Sequence, residues 1–283
     1  DIGVGQSAFG LTEGGVLTTV SNLGSISNYL ASKPGQIYTT HIDFLPQILV
    51  KNFSAGILTR AYTDAVVDKE SKFFHVYSYT DLGAYLNFAV ALWGGILKVG
   101  AGLKVLNRAE LDKAYPPGSY TNVNFTSDWK EGIGYGLDTG MILTAPTALQ
   151  PSLGVSVMDL GYTKIREQRL IWTGEGSAQG APGDIRQRIN AAIAINPKHA
   201  TGIKSHFALE MKDIQGSEKT FLQKFHYGWE LNVRDGFFLR AGASELSIWS
   251  AGLGLFFGGM GVEFSSYGEN ITYQKGRTVF DRR

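Results

Sequence analysis

The sequence predicts an all-β protein, a transmembrane antiparallel up-and-down β-barrel. Twelve stretches between Tyr38 and Tyr267 alternate apolar and polar residues, and the connections between them are by turns short and long, as in outer-membrane barrels. The alternation is clearest over 222–233, where aromatic and aliphatic residues share one parity and polar residues share the other. In a membrane barrel the apolar parity faces lipid and the polar parity faces the interior.

About 12 strands are predicted in this chain. They cover residues 38–50, 53–65, 74–92, 96–107, 130–145, 151–162, 185–196, 202–213, 221–233, 237–244, 248–257 and 260–267. Residues that favour tight turns stand between many of them, at Lys51-Asn52, Gly94-Gly95, Asn196-Pro197, Arg234-Asp235-Gly236 and Gly258-Gly259. The long connections, 108–129 and 163–184, are predicted outer loops.

The first 36 residues follow a different pattern. Apolar residues over 17–32 recur at helical spacing, which predicts a short helix within an N-terminal plug-like segment, 1–36, ahead of a barrel over 37–283. With short turns on one side of the membrane, both ends of the twelve strands lie on the other side. A closed barrel with ends on the short-turn side needs one more strand at each end, so a parent barrel of about 14 strands is predicted. The alternatives are a twelve-strand barrel with both ends outside, or miscounted strands.

Composition excludes several kinds of chemistry. The chain has no cysteine and a net charge of +1, so it offers no thiol catalysis, no disulfide and no reason to expect nucleic acid as a partner. No Gly-x-Ser-x-Gly, HExxH or phosphate-cradling loop before a helix occurs. The chain is therefore not expected to be an enzyme or to hold a cofactor or metal.

Two successive predicted strands repeat a Lys-x-His-x-small-x-Glu pattern on the polar parity. Its members are Lys204, His206, Glu210, Lys224, His226 and Glu230. One register places Lys204 opposite Glu230 and Glu210 opposite Lys224. A slip of two residues places His206 opposite Glu230 and His226 opposite Glu210, and both registers keep the faces matched. The pattern fits a charge-balanced ladder, a site for a substrate's polar head, a proton-sensitive gate or, with poor ligand spacing, a metal site.

Other charged residues share the polar parity and are candidates to line the interior. They are Arg60, Lys98, Lys104, Asp138, Arg186, Arg188, Arg240 and Glu263. Their cations could hold a carboxylate or phosphate head group, or they could only compensate charge in a narrow interior. The glycine-interrupted stretch around Gly242, Gly252 and Gly254 is the candidate lateral opening, since a β-bulge there would break the ladder.

Three segments carry a resemblance to a known family: LQPSLGVSVMDLG (149–161), LKVGAGLKVLNRAEL (97–111) and FFLRAGASELSIWSAGLGLFFGGMGVEFSSYGE (237–269). They resemble strands of the FadL-type superfamily of bacterial outer-membrane barrels, which includes long-chain fatty-acid transporters and PorV-like secretion proteins. The resemblance implies passive transport of a hydrophobic or amphipathic small molecule, in contact with membrane lipid.

Two other functions stay open at this point. The PorV-like branch implies a non-conducting scaffold that binds another envelope protein through the outer loops, with Tyr115-Pro116-Pro117 and Trp172 as contacts. The third alternative is a porin for small solutes.

Overall fold

The structure is a computed structural model that describes residues 2–4, 23–119, 125–172, 180–200, 202–217, 219–245, 248–257, 260–270 and 280–282. Strand accounts for 66% of these residues. The described part contains one α-helix, α1 (Leu23–Ser32), and short 3-10 turns at Trp93–Gly95, Phe125–Asp128 and Leu222–Lys224. No helix in these ranges has the length and apolar character needed to cross a membrane.

Extended backbone forms seventeen strand segments in the described ranges. They are β1 (Ile2–Val4), β2 (Ile37–Phe44), β3 (Gln47–Val50), β4 (Phe53–Val67), β5 (Phe74–Leu92), β6 (Leu97–Tyr115), β7 (Lys130–Thr144), β8 (Ser152–Met158), β9 (Ile165–Glu167), β10 (Arg188–Ile195), β11 (Lys198–Ala200), β12 (Ile203–Met211), β13 (Phe225–Val233), β14 (Phe237–Ser244), β15 (Ile248–Phe257), β16 (Met260–Asn270) and β17 (Phe280–Arg282).

These segments form one antiparallel sheet. Three of its strands are each interrupted into two segments, so the seventeen segments make 14 strands. Segments β2 and β3 both pair with β4, β8 and β9 both pair with β7, and β10 and β11 both pair with β12. Over the described residues the sheet is not closed. The prediction of an all-β antiparallel fold is confirmed, whereas the count of about 12 strands is wrong. The two additional strands are short: β1 pairs with β2, and β17 pairs with β16.

Two compact units divide the chain. The first comprises residues 1–86, 103–136 and 162–185, and the second comprises 87–102, 137–161 and 186–283. The first unit has a buried apolar cluster that includes Leu30 of α1, Tyr38, Phe74, Leu111 and Tyr115. Helix α1 falls within the predicted 17–32 segment, of which residues 17–22 lie outside the described ranges.

Strand β6 is longer than predicted and absorbs the start of the expected outer loop 108–129. Tyr115 is its last residue and is 4% exposed. Its hydroxyl donates to the Asp128 carboxylate at 2.7 Å, and its ring stacks with Phe74. The expectation that Tyr115 offers an outer contact surface is therefore wrong, since burial of the ring outweighs the loop character of the following Pro116-Pro117.

The second unit contains an unbroken antiparallel ladder from β12 to β16. The β13–β14 connection is a tight turn in which Arg234 and Asp235 have φ of 52° and 54°, the left-handed pair that matches the twist of a hairpin. Gly94 and Gly95 likewise have positive φ. The turn chemistry predicted at these positions is confirmed, while the Gly258-Gly259 turn lies outside the described ranges.

Candidate ligand site on the polar face of the sheet

An ionic cluster occupies the polar face of the second unit. Arg240 on β14 lies directly opposite Glu230 on β13, and its Nε donates to Glu230 Oε2 at 2.7 Å. One of its terminal nitrogens lies 2.9 Å from Oε1 of Glu263 on β16. All three side chains are between 30% and 45% exposed. One arginine thus joins a carboxylate on the adjacent strand β13 to one on β16, two strands away on the other side.

Glycines on the intervening strand β15 make this reach possible. Gly252 stands opposite Arg240, and Gly254 stands opposite Glu263. A Cβ on Gly252 would lie 3.7 Å from the Arg240 Cβ, and one on Gly254 would lie 3.5 Å from the Glu263 side chain. Because β15 presents no side chain at these two positions, the guanidinium can cross above it.

The cluster lines a cavity of about 430 Å³. His206, Gly228, Gly242, Ser250 and Ser265 also border it. Two carboxylates against one guanidinium leave a formal charge of −1. The cavity therefore presents carboxylate oxygens as acceptors and attracts a cationic or hydrogen-bond-donating group more readily than an anion.

A second cavity on the polar face has a volume of about 630 Å³. Its polar groups include those of Lys98, Asp138, Asn190 and Glu210, and glycines such as Gly154 also line it. Asp138 accepts the backbone N–H of Asp159 at 2.7 Å, and Glu210 lies 3.6 Å from Lys212. The Asp138 and Glu210 carboxylates of this cavity thus already have partners within the protein.

The opposite face of the same strands carries an apolar groove of about 990 Å³. Its walls include Leu153, Ile193, Phe207, Leu209, Trp229 and Trp249. The groove and the ionic cavity share the backbone positions Ala208, Gly228 and Gly242. At these small residues a single sheet separates the apolar groove from the ionic cavity.

The structure selects the second of the two predicted registers. His206 lies opposite Glu230, and Glu210 lies opposite His226. Lys224 does not belong to the ladder as predicted: it ends the 3-10 turn before β13, is buried, and its Nζ donates to the Ile214 carbonyl at 2.8 Å. The pairing of Glu210 with Lys224 is wrong because the register places His226 opposite Glu210, and Lys224 lies beside Lys212, whose backbone N–H donates to its carbonyl at 2.9 Å.

Lys204 lies opposite Asn232 rather than Glu230, and it pairs with the turn residue Asp235. Its Nζ donates to both oxygens of the Asp235 carboxylate, at 2.8 and 3.0 Å. The Asn232 amide donates to the same carboxylate at 2.8 Å. Hydrogen bonds from Lys204 and Asn232 hold the pKa of Asp235 below its usual value.

The remaining predicted residues are dispersed. His206 contacts the Asn196 side-chain oxygen through Nδ1, and Arg186 pairs with Asp213. Arg188 begins β10 opposite Met158. In the first unit, Arg60 pairs with Asp43 at 2.7 Å, and the Lys104 side chain lies against Gly136. Of the candidates, the structure unites Glu230, Arg240 and Glu263 in one contact network.

The predicted break in the ladder at Gly242, Gly252 and Gly254 is not found. The register is continuous on both sides of Gly242, which pairs with Gly228 and Ser250. A Cβ on Gly242 would lie 2.8 Å from the Tyr227 carbonyl oxygen. These glycines serve close approach across the ladder instead of interrupting it. A register shift does occur in β11, between Lys198 and Ala200.

Two buried carboxylates with well-defined partners escaped prediction. Asp81 accepts two hydrogen bonds from Arg108, which the sequence placed in a loop. Glu131 accepts backbone N–H groups of residues 170–172. The first pair had a signal, since Asp81 is the single carboxylate in the predicted strand 74–92. The second had none, because its partners are backbone groups.

The comparisons with known proteins return no match. No family model, no curated protein and no solved structure matches the chain.

Proposed function

We propose that the chain spans a bacterial outer membrane as a β-barrel and takes an amphipathic small molecule into the cavity formed by Glu230, Arg240 and Glu263. The observation that carries the proposal is the division of faces on β12 to β16. One parity bears the ionic cluster, and the other exposes Phe207, Trp249, Leu253, Val262 and Phe264, the last by 67%. Apolar patches of this extent mark contacts with a membrane or a partner.

The chemistry of the cavity narrows the class of ligand. Arg240 is already held by two carboxylates, so it offers little to an incoming anion. A neutral or cationic head can instead donate to Glu230 and Glu263. Its hydrocarbon tail then packs along the same cavity, against small residues such as Ala208, Gly228 and Gly242, because the continuous ladder separates this cavity from the apolar groove on the other face. Burial of that tail contributes roughly 25 cal/mol per Å². The resemblance to fatty-acid transporters supports an apolar tail but not a carboxylate head.

The membrane part of the proposal is tested by placing charge on each face of one strand. Leu253→Lys adds a cation to the apolar parity of β15, and Ser250→Lys adds one to the polar parity. In lipid vesicles we expect Leu253→Lys to lower the free energy of unfolding by about 2–4 kcal/mol. The matched Ser250→Lys variant should change it by less than about 1 kcal/mol. Equal small effects of the two variants would refute membrane contact at this face.

The ligand part is tested with a long-chain amine, alcohol and carboxylate of equal chain length. Binding to the purified protein is measured by mass spectrometry after extraction and by displacement of a fluorescent amphiphile. We expect the amine and the alcohol to bind more tightly than the carboxylate. Glu263→Gln should weaken amine binding about tenfold, since a hydrogen bond to a charged group is worth about 1.5–3 kcal/mol.

Glu210→Gln, which removes a carboxylate from the other cavity, is the matched control and should leave amine binding unchanged. Preference for the carboxylate, or equal loss in the two variants, would reject the site.

A further inference from the structure

The segment 164–172 of the first unit combines exposed cations with an exposed apolar tip. Lys164, Arg166 and Arg169 are all exposed. They are followed by Leu170, Ile171 and Trp172, which are 55%, 53% and 43% exposed. Three consecutive apolar side chains left in solvent are unfavourable unless something covers them.

A buried carboxylate fixes the backbone of this tip. Glu131 on β7 is 2% exposed. Its Oε1 accepts the backbone N–H groups of Leu170 at 3.0 Å and Ile171 at 2.8 Å, and its Oε2 accepts that of Trp172 at 3.3 Å. Hydrogen bonds to a charged acceptor are about twice as strong as neutral ones. The backbone that carries these three exposed side chains is thus fixed by hydrogen bonds to Glu131.

The base of the segment is also held to β7. Residues of β9 pair with Gly132, Ile133 and Gly134, and the Gln168 N–H donates to the Glu131 carbonyl at 3.1 Å. Since β9 and the 170–172 backbone are both bound to β7, the position of the tip is set by that strand.

Strand β7 indicates what the tip faces. Glu131 and Tyr135 are four residues apart in one strand, so their side chains lie on the same side of the sheet, about 13 Å from each other along it. Tyr135 is 73% exposed. The tip therefore lies on the side of β7 that displays an aromatic ring, as the interfacial girdle of a membrane barrel does.

We propose that segment 164–172 is an anchor for anionic lipid headgroups, with its cations on the phosphates and Leu170-Ile171-Trp172 at the acyl boundary. The inference rests on the proposed membrane location of the sheet. Charge favours lipid over a protein partner: the segment has three cations and one carboxylate, Glu167, which accepts the Gly180 N–H and lies 3.8 Å from Arg169. Basic residues beside an apolar tip are what an anionic headgroup layer attracts.

Quenching of tryptophan fluorescence by brominated lipids tests the anchor. One variant retains only Trp172 and another retains only Trp249, with the other tryptophans replaced by phenylalanine. Each is reconstituted in bilayers that contain a small fraction of brominated phosphatidylglycerol in phosphatidylcholine, and then with the brominated chain on phosphatidylcholine instead. Trp249 reports whether the apolar sheet face meets acyl chains at all.

We expect brominated phosphatidylglycerol to quench Trp172 at a lower mole fraction than brominated phosphatidylcholine does. Arg169→Gln in that background should raise the fraction for half-maximal quenching about fivefold. Trp249 should be quenched by both lipids without preference. Quenching of Trp249 without Trp172, as expected if a protein covers the tip, would overturn the anchor and leave the proposed function intact.

Equal quenching of Trp172 by both lipids would overturn recognition of the anionic headgroup. Absence of quenching at both tryptophans would overturn the anchor and the membrane proposal together.

Discussion

Replacement of Asp81 by asparagine is expected to be among the most destabilising polar substitutions in the chain. The Nε of Arg108 and one of its terminal nitrogens each donate to a separate Asp81 oxygen at 2.7 Å. The side chains are only 2% and 11% exposed. Asparagine keeps the size but removes the charge, which leaves the buried guanidinium with the more distant Glu110 carboxylate, 4.0 Å away. Breaking a buried pair on one side costs about 3–5 kcal/mol, a large share of the roughly 5–15 kcal/mol that holds a domain folded.

Glu230→Gln supplies the matched control. Arg240 and Glu230 also meet at 2.7 Å, but their side chains are 40% and 30% exposed. Solvent screens this pair, so its loss should cost no more than about 1 kcal/mol. The measurement is urea unfolding in detergent micelles followed by tryptophan fluorescence, with comparison of the midpoints at constant slope.

A double variant separates the pair from the packing around it. Asp81→Leu with Arg108→Met removes both charges and should recover most of the stability that Asp81→Asn loses. Recovery should be incomplete, because the guanidinium also lies 4.6 Å above the Tyr79 ring, a contact worth about 0.5–2 kcal/mol. If Asp81→Asn and Glu230→Gln shift the midpoint equally, burial does not set the strength of these pairs and the reasoning fails.

Three further outcomes are expected. Gly242→Ala should cost about 1–3 kcal/mol in the same unfolding assay, since its Cβ would meet a carbonyl oxygen at 2.8 Å, whereas Gly228→Ala, directly opposite and with open space, should be neutral. Asn107→Val should leave stability unchanged or raise it by about 1–3 kcal/mol, because neither polar atom of this buried side chain has a hydrogen-bonding partner among the residues that the structure describes; a loss would show that a partner exists. By NMR titration Asp235 should ionise below its usual pKa and return toward it in Lys204→Met. Its contribution to stability is present above the unfolded-state pKa and lost as the pH falls through the lower folded-state value.

The parts of the fold that depend on local rules could be predicted. Side-chain alternation has a period of two in any strand, so the exposed apolar parity of Leu253 and Phe264 was evident without knowledge of neighbouring strands. Turn residues act within two or three positions, and Gly94 and Asp235 adopt the positive φ that their positions predicted. The bounds of β6 were missed because a strand that packs against a core, as at Leu111, no longer needs a lipid-facing pattern.

Register and ion-pair partners depend on distances that the sequence does not contain. The faces of β12 and β13 match in either predicted register, so alternation could not choose between Lys204 and His206 as the residue opposite Glu230. In the structure His206 lies opposite Glu230, and Lys204 instead makes a two-oxygen contact with Asp235 in the β13–β14 turn.

The union of Arg240 with Glu263 shows why a site can be harder to predict than the sheet that bears it. These residues are two strands apart, and charge alone gives no reason to join them across β15. The register places Gly252 opposite Arg240 and Gly254 opposite Glu263. Because neither glycine has a side chain, the guanidinium has room to cross β15. The glycines at which the sequence suggested a break in the ladder are therefore part of the site, because their missing side chains leave space for the Arg240–Glu263 contact. Filling Gly252 with valine should weaken amine binding while the register of β14 and β15 persists, and tight binding by that variant would show that Arg240 and Glu263 do not act together.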